Sequence, residues 1–128
     1  MIGLPSSVQI FLSSEPTDMR KGVDGLSYHV LKWGQDLYSG HLFVFVSKRG
    51  DRVKILTWDN GGFVVYYKRL ESGRFRIPKI SDDKQTLEMD SSQLSMLLDG
   101  IDFSRVRRPL KWQPVRRLRQ KIDIQTQL

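Results

Sequence analysis

Nucleic-acid chemistry usually runs through two or three carboxylates converging on a divalent metal, so the acidic residues are the first place to look for an active site. The candidates are Asp18, Asp24, Asp51, Asp59, Asp99 and Asp102. Asp18 and Asp24 stand six residues apart, which on a helix directs them to nearly opposite sides. Asp51 and Asp59 sit among turn formers, where aspartate is favoured for backbone geometry alone. Asp99 and Asp102 flank a predicted helix end. No local spacing gathers a ligand set. His29 and His41 fall on different predicted elements, and the chain has no cysteine, which excludes thiolate catalysis, disulfides and cysteine zinc sites. The glycine-rich DNGGF at 59–63 lacks the Lys-Ser/Thr ending of a P-loop, and no serine stands in a nucleophile elbow. These residues predict a protein that is not an enzyme and needs no metal or cofactor.

The cations point elsewhere. The net charge is +7, and its location matters more than its size. Residues 1–104 carry 13 Lys+Arg against 13 Asp+Glu. Residues 105–128 carry Arg105, Arg107, Arg108, Lys111, Arg116, Arg117, Arg119 and Lys121 against Asp123 alone. The whole excess sits in a C-terminal arm, the asymmetry expected where a neutral body meets a polyanion through its tail. Arginine predominates there, and its guanidinium matches phosphate bidentately. If about six of these cations neutralise phosphates, binding falls with salt at a log–log slope near −5. Trp112, between Lys111 and Gln113, is placed either to stack on an unpaired base or to pack. Solvation of the arm, or its docking on an acidic protein surface, is the competing reading. A membrane-surface helix is disfavoured, because Val115, Leu118 and Ile122 form only a narrow apolar stripe. No apolar run approaches 18 residues and the N-terminus has no signal-peptide pattern, so a soluble cytoplasmic protein is expected.

The elements that must position these residues follow from periodicity. Val8–Leu12 alternates as a strand. Thr17 or Asp18 is placed to cap a helix running to Lys32 or Trp33, with Gly34 ending it. Met19, Val23, Leu26, Val30 and Trp33 then share one apolar face. From His41 the rhythm turns to strands: HLFVFV, VKILTW, FVVYYKRL and RFRIP, joined by the turns SKRGDR, DNGG and ESG. Asn60–Gly61 is a strong hairpin signal. A further short strand is expected at Thr86–Met89. Ser91 or Ser92 is placed to cap a second helix, Gln93–Asp99, stopped by Gly100, with Leu94, Leu97, Leu98 and Ile101 towards the sheet. Pro114 suits the first turn of a helix in the arm. The expected fold is α+β: one small domain over 1–104, an antiparallel β-meander of about five strands packed against two helices, followed by the basic arm 105–128.

Three blocks carry a resemblance: TDMRKGVDGL, SGHLFVFVSKRGDRVKILTWDNGGFVVYYKRLESGRF and SSQLSMLLDGIDF. In order and spacing they resemble the accessory-protein family, TnpB, encoded by the second reading frame of insertion-sequence-sixty-six elements. The likeness spans roughly 3–103. It implies assistance to DNA transposition without catalysis, beside a separate transposase and a second small accessory protein as partners. The family's WDGxG-type turn stands here as WDNGG, which keeps the turn chemistry. Matching positions are Asp18, Met19, Arg20 and Lys21; Lys48, Arg49, Gly50 and Asp51; Lys54, Trp58 and Asp59; Tyr67, Lys68, Arg69 and Leu70; and Gly73, Arg74 and Phe75. Of these, Arg20, Lys21, Lys48, Arg49, Lys68, Arg69 and Arg74 are candidate DNA contacts of the body, joined by Arg76. Packing of the first helix on the sheet would merge several into one basic patch. Pairing with Asp18, Asp51, Asp59 and Glu71 would instead neutralise them.

Overall fold

A computed structural model describes Pro5 and residues 7–105. The chain runs β1 (Ile10–Ser13), α1 (Val23–Lys32), β2 (Leu42–Val46), β3 (Arg52–Asp59), β4 (Gly62–Arg69), β5 (Thr86–Met89) and α2 (Ser91–Leu98), closed by a 3-10 turn at Phe103–Arg105. The strands form one sheet in the order β4-β3-β2-β1-β5. The expected α+β architecture of five strands and two helices is present, with one change in strand direction. β2, β3 and β4 are the antiparallel meander, but β1 lies parallel to β2. A helix between two neighbouring strands makes a crossover, and a crossover of this length returns the chain parallel.

Strand alternation sends side chains to two separate cores. Ile10, Leu12, Leu42, Val44, Val46, Val53 and Ile55 pack with Leu94, Leu97 and Leu98 of α2. Phe11, Phe43, Phe45 and Leu56 pack with Leu26 and Val30 of α1. The sheet is therefore sandwiched between a helix on each face. All five residues of β2 are buried, as a strand covered on both sides requires. Of the predicted apolar face, Val23, Leu26 and Val30 lie on α1, while Met19, ahead of the helix, and Trp33, at its C-cap, border the same cluster.

Several boundaries differ from expectation. β1 begins at Ile10, because the Val8 amide closes a turn on Pro5 and the Gln9 amide donates to His41 Nδ1. α1 begins at Val23 rather than after Thr17 or Asp18. Thr17 N–H is bonded to Val46 O at 2.9 Å, and Asp18 spends its carboxylate on the Arg20 amide and side chain. Gly22 occupies the N-cap with no side-chain bond. α2 is capped by Asp90, whose carboxylate accepts from Gln93 N–H while Gln93 answers the Asp90 amide, a complete capping box. Ile101 is 44% exposed and does not face the sheet.

RFRIP forms no strand. Phe75 is buried on the α2 side and its amide donates to Gly50 O at 2.7 Å, which satisfies the alternation without a ladder. The segment has to carry the chain from one sheet edge to the other, and it passes the end of the sheet where no strand edge is offered.

Candidate nucleic-acid interface

The turn between β2 and β3 is built by its own residues. Ser47 Oγ donates to Asp51 and accepts from the Arg52 amide, while the Gly50 amide closes on Ser47 O. Gly50 takes a φ of 79°, open to glycine at no steric cost. This geometry leaves Lys48 and Arg49 exposed at the tip. Two backbone hydrogen bonds then bring further cations to the turn. Thr17 N–H to Val46 O fixes the 17–20 segment, and hence Arg20, on one side. Phe75 N–H to Gly50 O fixes Arg74 on the other, with its side chain running beside Gly50.

Two shallow hollows result, sharing Ser47, Lys48 and Arg49. One, of about 320 Å³, is lined by Thr17–Arg20 and by Ser47, Lys48, Arg49, Asp51 and Arg52. The other, of about 290 Å³, is lined by Ser13–Pro16, Val46–Gly50 and Arg74, Phe75 and Ile77. Arg20, Lys48, Arg49, Arg52 and Arg74 thus surround one turn, opposed by Asp18, Asp51 and Glu15. Arg52 Nε is shielded from solvent and has no hydrogen-bond partner among the described residues. A buried donor left unmade is costly.

The other body cations are differently employed. Lys68 reaches across to Leu98 O at 2.7 Å and closes the C-terminal end of α2. Lys21 is half-buried, and its carbonyl accepts from Lys54 Nζ at 2.8 Å, with Lys54 also lying over the Tyr67 ring. A Cβ at Gly25 would stand 2.9 Å from Lys21 Cβ, so that glycine gives the Lys21 stem its room. Arg69 is paired with Glu71 at 2.9 Å, and Arg20 with Asp18 at 2.7 Å. The Arg20 hydrogen bonds hold the Asp18 carboxyl well below the usual carboxylate range. These pairs are exposed, and pairs of that kind contribute little to stability, so they yield readily to a competing phosphate. Asp51 and Asp59 make no ion pair among the described residues; Asp51 bonds Ser47 instead. Arg20 and Arg69 are thus ion-paired, while Lys48, Arg49 and Arg74 make no ion pair among the described residues. Of the arm, Arg105 is described and pairs with Asp102 at 3.3 Å. Arg107, Arg108, Lys111, Trp112, Arg116, Arg117, Arg119 and Lys121 lie outside the described residues.

Arg52 was not singled out from the sequence. Its position at the head of β3, immediately after the SKRGD turn, was the available signal. The aspartates occupy local backbone roles: Asp18, Asp36 and Asp102 each accept from the amide two residues on. No three His, Asp or Glu side chains are gathered as a metal site among the described residues, and no helix there is long and apolar enough to cross a membrane.

A family model described as "IS66 Orf2 like protein" matches residues 8–108. Among curated proteins, the uncharacterized protein y4jC of Sinorhizobium fredii is 38% identical over 116 residues, covering 87% of this chain and 95% of its own. A second uncharacterized protein of that organism, y4hO, is 35% identical over 119 residues, covering 88% and 97%. No solved structure matches.

Proposed function

The chain belongs to the IS66 Orf2-like family, and from that premise we propose that it is a non-catalytic accessory factor of transposition that binds DNA through two cationic regions. The first is the β2–β3 turn with Lys48, Arg49, Arg52, Arg74 and Arg20. The second is the arginine-rich arm, from Arg105 to Lys121. The observation that carries this reading is the convergence of five cations from three chain segments on one turn. Phosphate contacts position a protein on the duplex without reading its sequence, so the turn supplies affinity and register rather than base recognition. Work on the bases belongs to the transposase with which such a factor would act.

The test is a DNA-binding titration of the full chain on element-end and random duplexes. Replacing Lys48, Arg49 and Arg74 together by Gln is expected to weaken binding on both duplexes alike. Replacing Arg107, Arg108, Arg116 and Arg117 by Gln is expected to weaken it further. Unchanged affinity in both variants, with transposase still co-purifying after nuclease treatment, would instead make the protein an adaptor without direct DNA contact.

A further inference from the structure

β4 lies at the edge of the sheet and is eight residues long, twice the length of the opposite edge strand β5. Its free edge can be assigned residue by residue. Asp59 pairs with Gly62 across the two-residue Asn60–Gly61 turn, and such a closing pair exchanges both of its hydrogen bonds. The Leu70 amide, donating to Asp51 O at 2.7 Å, keeps the same parity. Gly62, Val64, Tyr66 and Lys68 therefore direct their backbone groups to β3. Phe63, Val65, Tyr67 and Arg69 direct theirs outward, where no strand meets them among the described residues. Natural edges are commonly blunted by proline, bulges or a mid-strand charge. Here Gly62–Arg69 has no proline, its register with β3 is unbroken, and its charges stand only at the last two positions. The side chains beside this edge are open as well: Val64 is 46%, Tyr66 44% and Tyr67 49% exposed.

We infer that this edge pairs with the β4 edge of a second copy of the chain, antiparallel, about a two-fold axis at Val65. In that register Val65 faces Val65 of the second copy, and Phe63 faces its Tyr67. These outward residues close hydrogen bonds in both directions. Val64 and Tyr66 come opposite one another on the α2 face, a β-branched and aromatic pair of the kind that stabilises sheets.

Charge selects this occupant. Residues 57–63, at the hairpin tip, have Asp59 as their ionisable group, whereas the other end of β4 holds Lys68 and Arg69, with Glu71 paired to Arg69, and stays net positive. The two-fold brings each cationic end to the other copy's tip, while a parallel pairing would bring like ends together. The chain's own arm would add arginines to an edge that has no carboxylate within Gly62–Arg69. DNA offers no backbone ladder to a strand.

The experiment is sedimentation velocity on the full chain, freed of nucleic acid by nuclease and kept in about 0.15 M salt, where side chains in contact across the pair are still coupled by charge. The wild type is expected at twice the 14.9 kDa chain mass in the micromolar range. Val64→Lys with Tyr66→Lys sets like charges opposite each other and is expected to halve that mass with the circular dichroism unchanged. Val64→Lys with Tyr66→Glu sets opposite charges there and is expected to keep the dimer. If the first pair unfolds the chain, Val65→Pro provides the same reading, because it removes an outward N–H and no bond to β3. A monomeric wild type overturns the proposal, including one whose Val65 amide resists hydrogen exchange because another segment covers it. So does a dimer that survives both Val64→Lys/Tyr66→Lys and Val65→Pro. DNA affinity measured on the same samples separates this outcome from failure of the functional reading.

Discussion

At the scale of single residues, His29 shows how a position that looks idle in the sequence acquires a physical consequence. Its Nε2 is shielded from solvent and unpartnered among the described residues, against the Phe45 ring and beside Tyr28. Desolvation, aided by Lys21 and Lys32 and opposed by Glu15, lowers its pKa below the ordinary 6.5. The folded state then favours the neutral ring. Its contribution to stability is complete above the unfolded pKa of about 6.5 and is lost as pH falls through the lower folded value. Thermal unfolding is expected to shift downward between about pH 7 and pH 5. His29→Gln should flatten that dependence; an unchanged slope in the variant would refute the assignment. The aspartates carry a parallel lesson. Asp18, expected to cap a helix, and Asp102, expected to flank a helix end, each instead accept from the amide two residues on, an Asx bond that is a local event.

At the scale of elements, Lys68 ties β4 to the end of α2, a link no local pattern could reveal, since thirty residues separate donor and acceptor. A cation at a helix C-terminus favours the exposed carbonyls and the macrodipole together. Lys68→Met is expected to cost about 1 kcal/mol in urea unfolding, with little change in DNA affinity. An affinity loss as large as that of the Lys48/Arg49/Arg74 variant would make Lys68 a phosphate contact instead. The hairpins and both helices were readable because Asn60–Gly61, Gly34 and Gly100 mark their own ends with positive φ. The direction of β1 and the fate of RFRIP were not. Each depends on which edge a distant strand occupies, and alternation looks the same whether a ladder is present or a single Phe75 is buried.

At the scale of the whole molecule, the proposed mode of binding is additive electrostatics over two regions. About three phosphate contacts at the turn and about six on the arm correspond to a log–log salt slope near −8, reduced by about 3 when Lys48, Arg49 and Arg74 are replaced. Isothermal titrations at four or five salt concentrations measure it. A slope that stays the same in the variant would confine DNA contact to the arm.

Composition, periodicity and turn chemistry determined the α+β class, the β2–β4 meander, the apolar face of α1 and the division of charge between body and arm. Each is a property of neighbouring residues, and the chain expresses it wherever it folds. Which cations share a site was decided only in three dimensions. Arg20, Arg52 and Arg74 come from separate segments and meet at one turn because the Thr17 and Phe75 amides each found a carbonyl at the end of the same strand pair. Contacts of that kind depend on where strands settle in the sheet, and that is a balance struck over the whole core.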